Sequence, residues 1–188
     1  PSSIFPQTHT FRNAAAAHVM SDRIGCYLYS SAFRPADIGV QKMRQDPNRD
    51  MAHIDPIILP LLASERLRLI SAGASLSRGQ KTALVARNAE AQTILDVCVS
   101  SSGGARDGKV NCSRCWKCER TMATLEALGA LDRFSAVFDV AHYRTNRKAI
   151  LKRLAYKAGR GSALEQEVLA MQAESGLAVP VLPRAVGR

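Results

Sequence analysis

Three cysteines at two-residue spacing, Cys112, Cys115 and Cys118, follow a fourth, Cys98, so that four of the chain's five cysteines fall in one short segment. Two intervening residues let the chain turn back tightly enough to bring both sulfurs to one side, and each neighbouring pair can then face one ion. Three ligands leave one corner of a tetrahedron open. Cys98 is the natural fourth, because the stretch before Cys112, Val-Ser-Ser-Ser-Gly-Gly-Ala-Arg-Asp-Gly-Lys-Val-Asn, is rich in small residues that can form a returning loop. The group reads as a closed, structural zinc site made by Cys98, Cys112, Cys115 and Cys118. The same spacing also suits a redox pair or an iron–sulfur cluster. Cys98 taken alone sits in the apolar run Ile94-Leu-Asp-Val-Cys-Val, where it also reads as a small buried residue, and Cys26 reads as core.

A cysteine cluster with no second set to pair with fits a reducing compartment, so a cytoplasmic location is expected. No apolar run approaches the roughly 20 residues of a membrane helix, so no membrane partner is expected. The 188 residues suffice for one domain with a core, or for one domain and a small appendage. A formal charge of +10 favours polyanionic partners, and seven Lys or Arg residues lie between Tyr143 and Arg160 without one acid.

Along the chain, residues 9–20 predict a helix, with Thr10 able to cap it and an alanine run to propagate it. Ile24 to Ser30 predicts a short strand, apolar on both faces as in a parallel sheet. Residues 31–53 read as a long polar loop. Asp55-Pro opens a capped helical segment interrupted by Pro60, and Arg66 to Ile70 alternates like a strand. A Ser/Gly turn then opens a helix from Thr82 to about Leu95. Its amides and the Lys81 ammonium could hold an anion, although such turns more often only cap helices. Met122, Leu125 and Leu128 predict a helix beginning inside the metal site. Ile150, Leu151, Leu154 and Ala155 predict a second one, and Ser162-Ala-Leu-Glu has the capping-box pattern of a last helix to about Glu174. The tail from Gly176 reads as irregular. His9, His18 and His142 lack partner spacing and read as surface or helix-face residues, while Asp132 and Asp139 read as caps or surface charges.

Alternating strands and helices in the first hundred residues argue for an α/β sheet, followed by an almost wholly helical remainder. Two strands are too few for an independent sheet. The expected organisation is an α/β part over residues 1–97, a zinc knuckle with its helix over 98–131, and a basic helical extension over 132–188.

The order Arg12-Asn13, strand, Asp55-Pro, Gln80-Lys81-Thr82, Cys98 and the CxxCxxC resembles the C-terminal part of 7-cyano-7-deazaguanine synthase-like relatives. These are PP-loop ATP pyrophosphatases, also called adenine nucleotide alpha hydrolases. Asn111 to Met122 is similar to an Asn-Cys-x-x-Cys-x-x-Cys-x-Arg-Thr-Met signature of such relatives, and the likeness covers roughly residues 9–130. It implies part of a parallel α/β sheet carrying a four-cysteine zinc knuckle. It also implies a ligase-type reaction in which ATP and Mg adenylate a carboxylate or similar oxygen for attack by nitrogen. By resemblance, Lys81 and Thr82 would lie near nucleotide phosphates, His53 and Asp55 by the small-molecule substrate or its metal, and Arg12 and Asn13 at the substrate pocket. The Ser-Gly-Gly-x-Asp-Ser loop of the family is absent. Gly103-Gly104 lies in the metal loop instead, so the chain is expected to be the C-terminal portion of a longer enzyme. A competing expectation is a nucleic-acid module, in which Lys148, Lys152 and Arg153 contact phosphates and Trp116 stacks on a base. Purely structural stapling by zinc is the third.

Overall fold

The computed structural model describes residues 5–46, 48–99 and 108–180. Pro47, the Gly103-Gly104 pair and the last eight residues of the expected irregular tail lie outside the described residues. The protein is a mixed α/β chain, mostly helical, with a parallel sheet of two strands. It divides into two compact units, Pro1–Arg78 and Gly79–Arg188.

In the first unit, α1 spans Phe5–Val19 and begins ahead of the predicted start at residue 9. Thr10 therefore lies within the helix and does not cap it, and its fully buried hydroxyl donates to Asp55 Oδ1 at 2.6 Å. Strand β1, Cys26–Ser30, pairs in parallel with β2, Arg68–Ala72, with Cys26 opposite Arg68 and Ser30 opposite Ala72. Side chains alternate across a strand, so Tyr27, Tyr29 and Leu69 share the face that packs on Ala14, Ala17, Leu59 and Leu67. The expectation of two buried faces does not hold. Leu28 is 64% exposed and its register partner Ile70 is 40% exposed, because among the described residues no layer covers that side. Cys26 is half-buried and stands outside this core.

The long connection from β1 is more ordered than its polarity suggests. It holds 3₁₀ turns at Pro35–Asp37 and Met51–His53 and the short helix α2, Val40–Gln45, before α3, Asp55–Leu61. Pro56 starts α3, where its missing N–H has no partner to lose. Pro60 falls in the last turn, and His18 Nε2 lies 2.8 Å from the Leu62 carbonyl oxygen just beyond.

Helix α4, Arg78–Arg87, begins at the end of the first unit and continues into the second, followed by α5, Ala91–Ile94. The single helix predicted over 82–95 is thus two. The break falls at Asn88, whose Oδ1 accepts from Ala91 N at 3.1 Å, the side-chain competition with helix backbone that asparagine favours. The large core of this unit joins Ala86 of α4 to α6, Trp116–Ala127, α7, Val140–Gly159, and α8, Ala163–Glu174. The predicted stripe of Ile150, Leu151, Leu154 and Ala155 is buried, as are Met122 and Leu125. Burying each of the Ile, Leu and Met side chains among these is worth about 1.5–3 kcal/mol. Asp139 caps α7 by accepting from His142 N at 2.9 Å, whereas the Ser162 hydroxyl donates to the Glu165 carboxylate and leaves the backbone bond of a capping box unmade. Asp132 forms an exposed pair with Arg144. Among the described residues no helix is long and apolar enough to cross a membrane.

Candidate metal centre

All four sulfurs of Cys98, Cys112, Cys115 and Cys118 lie within 4.8 Å of one another. A tetrahedral ion with metal–sulfur bonds of about 2.3 Å requires sulfur–sulfur edges of about 3.8 Å. Cys115–Cys118, Cys112–Cys118 and Cys98–Cys115 stand at 3.4, 3.9 and 4.0 Å. These separations are far beyond an S–S bond of about 2.05 Å. The donor set and its spacing fit a metal such as zinc.

Local chemistry assembles this group. Ser113 takes a left-handed φ of 56°, which turns the chain between Cys112 and Cys115, and its buried Oγ accepts from Asp139 N at 2.8 Å. Cys115 N donates to Cys112 Sγ at 3.3 Å within that turn. Cys115 is the N-cap of α6, which places Cys118 in the first helical turn, where aligned amides favour a thiolate. Cys98 is delivered by Asn111, a residue only 1% exposed. Its Oδ1 accepts from Val97 N at 2.9 Å, and its Nδ2 donates to the Leu95 and Val137 carbonyls at 2.7 and 3.2 Å. Burial pushes the Cys112 and Cys118 thiols up. Burial also acts to raise Cys115, but backbone donation from Val99 and Cys118 and the neighbouring thiols outweigh it and bring it down to about 7. Four sulfurs this close, two of them on buried cysteines, cannot all ionise without a cation among them.

A second polar group lies in the first unit, around Tyr29 near the carboxyl end of β1. His9, buried on α1, places Nδ1 2.6 Å from Tyr29 Oη and Nε2 2.9 Å from Asp50 Oδ1. Asn13 Nδ2 donates to the same Tyr29 oxygen at 3.3 Å. With that donor in place, the consistent orientation sends Tyr29 O–H to His9 Nδ1 and His9 Nε2–H to Asp50. Burial pushes the Tyr29 phenol up, partly offset by Asn13. Asp50 lies below the usual carboxylate range, since burial is outweighed by donation from His9 and Ala52 N. Asp55 is wholly buried and shifted up by burial, with Thr10 on Oδ1 and no partner on Oδ2. Ser71, the register partner of Tyr29, also has a buried hydroxyl without a partner.

Of the residues singled out in the sequence, Asn13 and Asp55 belong to this group. His53 lies beside it, stacked on Phe33 at 3.8 Å, with Nδ1 2.7 Å from the Asp37 carbonyl oxygen and Nε2 3.1 Å from Asp46 Oδ2. Arg12 is exposed. Lys81 and Thr82 fall in the first turns of α4, whose Gly79 N–H donates to Glu167 Oε1 at 3.0 Å, so a carboxylate of the chain itself already holds an amide there. His9, Thr10, Tyr29 and Asp50 carry no local spacing signal, because their partners on other elements lie 16 to 45 positions away. Trp116 meets Lys157 of α7, while Lys148, Lys152 and Arg153 are exposed on that helix.

Comparison with protein-family models, with curated proteins and with solved structures finds no match to this chain.

Proposed function

We propose that the chain is the substrate-side, zinc-bearing portion of an ATP-dependent PP-loop enzyme, in which the zinc is structural and the chemistry belongs to the first unit. The observation that carries this is the buried, half-satisfied Asp55 beside the Tyr29–His9–Asp50 chain at the carboxyl end of β1. Ligands of open α/β sheets bind beyond the carboxyl ends of the strands. A buried carboxylate oxygen and a buried hydroxyl, Ser71 Oγ, without partners are groups that a polar ligand would satisfy. Asp55 would accept from a substrate N–H or O–H. Tyr29, backed by His9 and Asp50, would hold or pass a proton at its phenolic oxygen. Bound ATP would supply the adenylating group. Zinc, held by Cys98, Cys112, Cys115 and Cys118, would support folding of the second unit.

The test is pyrophosphate release from ATP by the protein extended with its upstream coding sequence, across candidate carboxylate substrates with ammonia as nitrogen donor. Asp55→Asn and Tyr29→Phe are expected to lower turnover by two orders of magnitude or more while zinc content stays at one equivalent. Turnover unchanged in both variants, or an upstream sequence with no pyrophosphate-binding loop, rejects the assignment.

A further inference from the structure

We propose that the cleft between α7 and the segment following α8 is a binding site for a medium-chain aliphatic carboxylate, whose chain lies on an apolar floor and whose acid group meets Lys148 and Lys152. The cleft has a volume of about 610 Å³ and lies wholly within the second unit. Small-molecule pockets typically span about 300–1,000 Å³ and are mostly apolar with a few placed polar groups. The lining is far smaller than the roughly 20–30 residues a side of a stable protein interface, so a small ligand fits it better than a folded partner.

Side chains of α7 at four-residue spacing shape the cleft. Leu151 and Ala155 are buried and form its floor, while Lys148, Lys152 and Tyr156 run beside them as a rim along about 12 Å of helix. Ala178, Val179 and Pro180 make the opposite wall. That wall is held in place: Leu177 N donates to the Gln172 carbonyl at 3.0 Å, and Arg147 Nη1 donates to the Ala178 carbonyl at 3.1 Å. The charge of Arg147 is already met by Glu126. Lys148 and Lys152 are exposed one turn apart, and neither has an ion pair or hydrogen bond among the described residues. No acidic residue lines the cleft, and α7 carries none along its whole length. Residues 181–188 carry two arginines and no acidic side chain, so they do not supply the missing counter-charge. A net charge of +10 likewise disfavours a second copy of the chain at this basic rim. Tyr156, 61% exposed, accepts from Arg160 Nη1 at 3.2 Å, which leaves its own O–H to donate to an acid group. An apolar floor edged by cations matches a ligand that is apolar along its length and anionic at one end. A nucleic-acid strand, charged at every repeat, would leave that floor without a partner.

The zinc-loaded full chain is titrated by calorimetry with octanoate and decanoate below their micelle-forming concentrations, and with decanol and decyltrimethylammonium as uncharged and cationic controls. Phosphatidylglycerol vesicles and an acidic amphipathic peptide are titrated in parallel. Decanoate is expected to bind saturably at one molecule per chain, about tenfold tighter than octanoate through two more buried methylenes. Decanol and decyltrimethylammonium should bind about fivefold more weakly than decanoate at low salt. Joint Lys148→Gln and Lys152→Gln substitution should cost decanoate about the same factor and remove its salt dependence. Ala178→Trp fills the cleft from its exposed wall and should abolish binding, whereas Leu28→Gln on the open face of the sheet should leave it unchanged. Zinc content and helical circular dichroism equal to wild type show that each variant is folded. No saturable binding of decanoate, equal affinity for decanol, wild-type affinity in folded Ala178→Trp, loss of binding in Leu28→Gln, or binding of vesicles or peptide but not of decanoate each overturns the proposal.

Discussion

Arg147 Nε of α7 donates to both carboxylate oxygens of Glu126 on α6, at 2.7 and 2.9 Å. The same carboxylate accepts from the Tyr143 hydroxyl at 2.7 Å and from Gln172 Nε2 of α8 at 2.9 Å, so one acid ties three helices together. Gln172, fully buried, also donates to the Ala123 carbonyl and accepts from Arg147 Nη2. Glu126→Ala leaves a guanidinium, a phenol and an amide short of an acceptor. Loss of one partner from such a network costs about 3–5 kcal/mol. Urea unfolding should show that loss, and Glu126→Gln, which keeps the acceptor oxygen without the charge, should lose less.

Metal retention gives an independent check. The purified protein should hold one zinc, Cys115→Ser should release it, and chelation should lower the melting temperature of the second unit. Burial holds protons on Cys112 and Cys118, and each must leave before the sulfur becomes a ligand. Zinc affinity should therefore fall as pH is lowered, with release followed by a chromogenic chelator.

Asp55 sets a pH dependence of its own. Its folded pKa is raised by burial, so the folded state holds the proton more tightly than the unfolded chain does. Stability from this group is present below the unfolded value near 3.9 and is lost as pH rises through the folded one. Asp55→Asn should flatten that fall. At neutral pH the variant should be about as stable as wild type, or more so by about 1 kcal/mol, as is common for substitutions at functional sites. Melting temperatures from acid to neutral pH decide this.

Asp50 works in the opposite sense. Its Oδ1 accepts from Ala52 N at 2.9 Å as the cap of a 3₁₀ turn and also faces His9, and its folded pKa lies below the usual range. The stabilisation is present above the unfolded value and lost as pH falls through the folded one. Asp50→Ala should cost about 1–2 kcal/mol near neutrality and much less in acid, as read by denaturant titration at the two pH values.

Features written in short-range spacing were legible in the sequence. The cysteine triplet gave the sulfur cluster, and Ile150, Leu151, Leu154 and Ala155 at helical spacing gave the buried face of α7. Cys98 needed only its position near the triplet, yet Asn111, which places it, read as one more loop residue. The polar group of the first unit was not legible. Thr10 has a good capping residue's chemistry, but its hydroxyl serves Asp55, 45 positions on, and tertiary pairing overrides local propensity. His9 has no ligand-like spacing in sequence because Tyr29 and Asp50, which its two ring nitrogens face, come from other elements. The open face at Leu28 was missed for a related reason: composition shows that a strand is apolar, and only the layers around it decide which faces are covered.

The pairing of β1 with β2 also sets the tempo at which the chain can fold. Every rung joins residues 42 positions apart, as Cys26 does with Arg68, so a long segment must be closed before the first ladder bond is made. The clamp between α6 and α7 spans only 17 to 21 positions. Local closure is fast and distant parallel pairing is slow. The α6–α7 pairing can thus form ahead of the ladder, whereas joining α8 through Gln172 to Glu126 spans 46 positions and closes as long a loop as the sheet does.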